Sequence, residues 1–214
     1  MIKVAHIENG FTDKFGIPRQ SGRVENLSKI VFEKEFKSLD AIRRLGEFSH
    51  LWLIFGFTKA DGKYSLTVRP PRLGGNEKVG VFASRSPFRP NNLGLSSVKL
   101  VKIEKDGSLI VSGADLLNGT PIYDIKPYLP FTDCHTDATS GYATEFVMYK
   151  LKVENTELLS GLPGEIASDI IACLSEDPRP SYQEDCERVY AMDYSGVNVS
   201  FTVDNDTVKI IKVK

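Results

Sequence analysis

The sequence is poor in the residues on which several enzyme classes depend. Its three cysteines, Cys134, Cys173 and Cys186, are odd in number, widely spaced and without a C-x-x-C pair. That argues against a disulfide framework or a zinc knuckle and predicts reduced, buried thiols. The three histidines, His6, His50 and His135, carry neither an H-E-x-x-H nor a Ser-His-Asp signature, and Cys134-His135 has no further ligands at metal spacing. A metal hydrolase is thereby disfavoured and no metal is expected. The longest apolar stretch, Leu51 to Phe57, is far short of the ~20 residues that span a bilayer. Met1-Ile2-Lys3 opens into a strand-like segment without the apolar run of a signal peptide. These absences predict a soluble, cytoplasmic protein that does not engage a membrane.

Excess charge is also missing: 27 basic and 28 acidic side chains leave a formal net charge of −1 in 214 residues. A globally basic nucleic-acid binder is not indicated, but the average hides an asymmetry. From Lys63 to Lys102 eight basic residues face one acid, Glu77, a balance of +7, whereas Lys150 to Glu187 holds three basic and nine acidic residues, a balance of −6. The positive stretch is Arg-rich, which suits phosphate binding, although charge runs are more commonly solvated faces.

With 41% hydrophobic and 10% aromatic residues the chain can build a sizeable core, and its length suits a main domain with an appendage. Ile2 to Ile7 alternates, Leu27 to Phe36 looks extended, His50 to Thr58 reads as a buried strand, and Val79 to Phe82 and Leu95 to Ile103 follow. Leu109 to Gly113 can pair back across Lys105-Asp106-Gly107. Ser38 caps a short predicted helix with Leu39, Ile42 and Leu45 on one face and Gly46 as its stop, placed to plug one end of a barrel. From about Thr139 the chain becomes acidic. Pro163-Gly164 opens a predicted helix with an Ile166, Ile170, Ile171, Leu174 stripe, and a hairpin over Val197 to Val203 and Val208 to Val213 closes it. The expected fold is mainly β, with a barrel domain over 1–138 and a small α+β appendage over 139–214.

Four segments are dense in Gly, Pro, Arg and amide side chains: Ile17-Pro18-Arg19-Gln20-Ser21-Gly22, Val68 to Asn76, Val81 to Ser96, and Asn118 to Tyr128. Proline fixes φ and glycine admits tight turns, so each reads as a stiff loop that presents guanidinium, amide and hydroxyl groups to a ligand. The plainer alternative is that Pro and Gly merely stop neighbouring strands.

The run Ser84-Arg85-Ser86-Pro87-Phe88-Arg89-Pro90-Asn91-Asn92-Leu93-Gly94, with Gly119-Thr120-Pro121-Ile122-Tyr123-Asp124-Ile125-Lys126-Pro127-Tyr128, resembles the TrmO (YaeB, TsaA-like) family of tRNA methyltransferases. Phe48 to Trp52 and Asp177-Pro178-Arg179-Pro180-Ser181-Tyr182-Gln183 add to the likeness, which covers nearly the whole chain. The resemblance implies a single-sheet antiparallel β-barrel acting as a homodimer. Its implied activity is transfer of a methyl group from S-adenosylmethionine to N6 of threonylcarbamoyladenosine at position 37 of ACN-decoding tRNA. Consistent with a barrel enzyme, no G-x-G-x-x-G opens a helix after a strand. Asn92-Leu93 and Asn118 depart from the Pro-Ile and Asp of many relatives.

By this resemblance the cofactor contacts are Arg19, Gln20 and Ser21, Thr58 and Lys59, Arg85 and Leu95, and Gly119, Thr120, Pro121 and Ile122. Arg19 and Gln20 suit the methionine carboxylate or ribose hydroxyls. Arg85 suits an ionic anchor and Leu95 an apolar wall, while the 119–122 strip suits a backbone turn that reads the adenine edge. Leu95 and Ile122 equally suit a barrel interior. In-line methyl transfer depends chiefly on positioning, so the catalytic candidates have modest tasks. Asp124 is a proton acceptor, Lys126 an electrostatic group, and Tyr128 a stacking or hydrogen-bonding ring. Arg69, Arg72 and Arg89 are candidates for the tRNA anticodon stem-loop, since Arg pairs with phosphate and stacks on unpaired bases. His50 and Trp52 read as core or barrel-end residues, and Arg179 as reaching tRNA or cofactor across a dimer. Two other functions stay open: a methyltransferase of the same family acting on another RNA or small molecule, and a non-catalytic RNA-binding barrel.

Overall fold

The computed structural model describes residues 1–214 except 61, 71, 72, 74, 75, 147, 180–182 and 184, and omits the side chains of 145 and 146. Its strands are β1 (Ala5–Glu8), β2 (Leu27–Phe32), β3 (His50–Gly56), β4 (Thr67–Val68), β5 (Val79–Gly80), β6 (Leu93–Ile103), β7 (Leu109–Ser112) and β8 (Pro121–Pro127). After the short helix α1 (Pro130–Asp133) come β9 (Lys152–Glu154), the helix α2 (Gly164–Ser175), β10 (Tyr190–Tyr194), β11 (Val197–Asp204) and β12 (Thr207–Val213). The architecture is mainly β.

Six strands pair in the order β1-β2-β7-β6-β3-β8, and β8 returns to β1, so the sheet closes on itself with each of these pairings antiparallel. Alternation decides what lies inside. In β3, Leu51, Leu53 and Phe55 are buried while Trp52 and Ile54 are only half-buried. Ala5, Ile7, Ile30, Val98, Leu109, Val111 and Ile122 fill the same interior. Each such Leu or Ile contributes about 1.5–3 kcal/mol on burial. Gly94 permits the closest approach here, because a Cβ at that position would overlap the Phe55 ring.

A second core lies between α2 and a four-stranded sheet of order β10-β11-β12-β9, in which β9 runs parallel to β12. Ile170, Cys173 and Leu174 of α2 pack there with Phe201, Val203, Val208 and Ile210. Phe11 and Val24, from early in the chain, belong to this core as well; the Phe11 ring meets Tyr194 edge-on at 5.1 Å. The segment between β1 and β2 therefore joins the two cores.

Several local expectations are corrected. Residues 38–47 form successive turns with i to i−3 hydrogen bonds and a 3-10 turn at Leu45–Glu47, because Arg44 sits at φ 68 and interrupts a helix. Val81–Ala83 is a 3-10 turn rather than the continuation of a strand. The Asn118 to Tyr128 segment is largely strand β8, held on both sides by β1 and β3. Of the thiols only Cys173 is buried, and burial pushes it up to about 12; Cys134 and Cys186 are exposed. Among the described residues no helix is long and apolar enough to cross a membrane, and no group of three His, Cys, Asp or Glu is placed to hold a metal ion.

Candidate functional site

Four distant stretches of chain meet around Asp115. The Gln20 Oε1 accepts a hydrogen bond from the Arg85 guanidinium, which joins the first and third Pro/Gly-rich segments. Ser96, pointing inward from β6, donates its hydroxyl to Asp115 Oδ1 at 2.6 Å. The Ser21 backbone N–H also donates to the Asp115 carboxylate, and Arg85 lies within electrostatic reach of it. Burial raises the Asp115 pKa, while these hydrogen bonds and Arg85 act in the opposite direction. Asp115 was not among the sequence candidates; the one local signal is an acid within the otherwise apolar Ala114 to Leu117.

The loop carrying Gln20 is fastened to the C-terminal core. Arg19 donates to the carbonyls of Arg179 (2.8 Å) and Asp177 (3.4 Å), so its guanidinium faces the Asp-Pro-Arg turn. Arg23 pairs with the buried Glu176 at 2.8 Å. Arg179 pairs with Asp177 at 3.0 Å, and both side chains are nearly buried. Tyr149 donates its phenol to the second Asp177 oxygen at 3.0 Å. Arg179 is thus occupied within its own chain.

The remaining predicted cofactor residues have different surroundings. Leu95 is 56% exposed on the outer face of β6, so the core alternative for it is set aside. Ile122 is fully buried in the first core. The Gly119 N–H donates to Ile7 O and Thr120 O accepts from Ile7 N–H, so these main-chain groups are spent on β1 rather than offered to an adenine edge. Pro121 faces His6 in the same ladder. Gly119 adopts φ 78, and a Cβ there would meet nothing within 4 Å, so the turn is open to a close neighbour. Thr58 helps line a cavity of about 520 Å³ with Gly56, Asn91, Asn92 and Tyr123; Lys59 is exposed beside it on the same 3-10 turn.

The catalytic candidates form a strip on the outer face of β8. Lys126 pairs with Asp124 at 3.1 Å, both roughly half exposed, and the other Asp124 oxygen accepts the Ile125 N–H at 2.9 Å. In register, Asp124 and Leu95 flank Ile54 from the two neighbouring strands. Tyr128 lies further along, its ring 5.4 Å from Trp52 and 6.2 Å from His50. Trp52 donates its indole N–H to Asp133 at 2.8 Å. Desolvation raises the Tyr128 pKa, with Cys134 and Asp133 adding to it, so the phenol stays protonated as a donor. Trp52 and His50, expected in the core or at a barrel end, instead flank this strip on the outer face.

Of the three tRNA candidates, Arg69 is exposed and Arg89 donates to Ser84 O at 3.1 Å, bracing its own loop. Arg72 lies outside the described residues.

Comparison with known proteins matches residues 6–134 to the tRNA-methyltransferase O N-terminal domain and 148–214 to the TrmO C-terminal domain. A tRNA (adenine(37)-N6)-methyltransferase of Escherichia coli strain K12 is 38% identical over 215 residues, covering 94% of this chain and 92% of that protein. A protein of Pyrococcus abyssi named "Probable S-adenosyl-L-methionine-binding protein" is 36% identical over 138 residues, 64% of this chain and 71% of that one. The crystal structure of TrmO from Pseudomonas aeruginosa superposes with a TM-score of 0.79 at 31% identity, covering 99% of this chain and 97% of that chain.

Proposed function

Because this chain belongs to the TrmO family of tRNA methyltransferases, we propose that it transfers a methyl group from S-adenosylmethionine to N6 of adenosine 37 in tRNA. The single observation that carries the cofactor site is the meeting of Gln20, Ser21, Arg85 and Asp115 from separate segments. Those groups fit an amino-acid end, and exposed Leu95 fits an apolar face. When bound, the cofactor supplies an electrophilic methyl carbon on sulfur.

The chain's own residues bind, orient and manage a proton. Arg85, with Gln20 as its partner, offers charge-assisted hydrogen bonds to a carboxylate. Arg19, turned to the Asp177 and Arg179 carbonyls, acts by holding the Gln20-Ser21 loop in place. Gly119, Thr120 and Pro121 give the cofactor a close-packed wall, with Ile122 supporting it from the core side. Thr58 and Lys59 bound the far edge. Asp124 accepts the N6 proton, Lys126 stabilises the charge developing on the base, and Tyr128 stacks or donates a hydrogen bond. A carbamoyl substituent makes that proton more acidic than an ordinary exocyclic amine proton, so the substrate is threonylcarbamoyladenosine in ACN-decoding tRNA.

The proposal extends to a closed-barrel catalytic unit over 1–138, an appendage over 139–214, a cytoplasmic location and a homodimer. Exposed Leu66, Phe82 and Phe131, at 70%, 77% and 86%, support a self-association surface. Arg69, Arg72 and Arg89 would grip the anticodon stem-loop, making binding salt-sensitive. The deciding experiment incubates protein and S-adenosylmethionine with threonylcarbamoylated or unmodified tRNA and weighs the nucleosides. A one-methyl gain on the modified nucleoside is expected. No gain on either RNA, with tRNA still bound, would leave an RNA-binding barrel; methylation of another RNA or a small molecule would move the substrate.

A further inference from the structure

Asp115 is the one carboxylate in the predicted cofactor region, and its surroundings are organised for a cationic visitor. Its Oδ1 takes the Ser96 hydroxyl at 2.6 Å, and the Ser21 backbone N–H points at the same carboxylate. Neither donor carries a charge, and the nearest cation, Arg85, is exposed and shares its guanidinium with Gln20. Asp115 itself is only partly covered, so an incoming group can reach it. A carboxylate desolvated to this degree among neutral donors gains from a cation at close range. An exposed guanidinium beside it is the matching half of a zwitterion receptor.

We propose that Asp115 receives the α-ammonium of the cofactor's methionine end, while Arg85, oriented by Gln20, receives the carboxylate of that same end. The inference depends on the methyl-donor reading above. It assigns a cofactor-binding role to a residue that lies outside the four Gly/Pro-rich segments. It also explains why Ser21 and Ser96 matter without touching the ligand: each fixes the carboxylate that does.

The test is a thermodynamic cycle by calorimetry on the full-length protein. S-adenosylhomocysteine and its analogue lacking only the α-amino group are titrated into the unmodified protein and into Asp115→Asn. In the unmodified protein the amine should strengthen binding about 10- to 100-fold, the worth of a charge-assisted hydrogen bond. In Asp115→Asn that preference should shrink to about twofold or less, with the amine-free ligand bound as before. If Asp115→Asn keeps the full preference, or weakens both ligands equally, Asp115 only shapes the loop and the inference is overturned. Should Asp115→Asn lose its cooperative melting transition, Ser96→Ala serves instead. Its amine preference should fall several-fold, and an unchanged preference overturns the inference. Failure of the unmodified protein to bind either ligand would sink the methyl-donor reading itself, a result distinct from both.

Discussion

Asp115 and Asp124 stand close together in sequence yet are held by opposite means. Asp115 is anchored by Ser21, Ser96 and Arg85, partners brought from distant segments by the closing of the sheet. Asp124 is anchored by Ile125 and Lys126, its immediate neighbours on an exposed strand. An acid assembled by tertiary structure sits in a fixed, partly desolvated frame suited to holding a ligand still. An acid on a solvated strip keeps its mobility and its exchange with water, which suits passing a proton onward.

The largest expected effect tests the second kind. Asp124→Ala should lower kcat about 100-fold with the cofactor KM unchanged, the usual scale for a lost proton acceptor; steady-state methylation measures it, and unaltered turnover would remove the base assignment. Arg85→Ala should do the reverse, weakening cofactor affinity about 10- to 30-fold while kcat at saturating cofactor holds, as read by calorimetry and kinetics together. If both variants shift both parameters alike, the two acids do not divide the work as described.

Gly94→Ala probes the frame that both sites share. A methyl group there meets the Phe55 ring on the neighbouring strand, so the melting temperature should fall by the equivalent of about 1–3 kcal/mol. The smallest effect concerns Asp106, another locally held acid, in the turn between β6 and β7. The Ser108 hydroxyl and backbone N–H hold it down to about 2 against the ordinary 3.8. A depressed folded-state pKa means that ionised Asp106 supports the fold fully above about pH 4 and that this support is lost as pH falls toward 2. Asp106→Ala should therefore flatten the acid limb of a melting-temperature profile over that window, slightly, because the side chain is solvent-exposed.

Elements whose signals are local are legible in the sequence itself. The stripe on α2, the turn at Asp106-Gly107 and the terminal hairpin of β11 and β12 each arise from residues within a few positions of one another. The 118–128 segment misleads, because Gly, Pro and a charged pair look like a loop until β1 and β3 are seen to supply its hydrogen bonds. Residues 38–47 mislead for a different reason: apolar spacing predicts a helix, but Arg44 at φ 68 breaks the run. The candidate residues Gln20, Ser21 and Arg85 are visible as motif members, whereas their common focus, Asp115, is not.

The amino-acid order alone settled the family, the mainly β character and the chemistry on offer: guanidinium, amide and carboxylate groups on stiff, Pro-braced turns. Tertiary structure alone decided which of those groups meet. It turned Arg19 toward the Asp177 and Arg179 carbonyls, sent Ile122 into the core and Leu95 out of it, and gathered Gln20, Ser21, Arg85 and Ser96 around one acid. The physical reason is range. Periodicity and turn preference act over a few residues, whereas a desolvated charge is defined by neighbours that only the closed sheet brings to it.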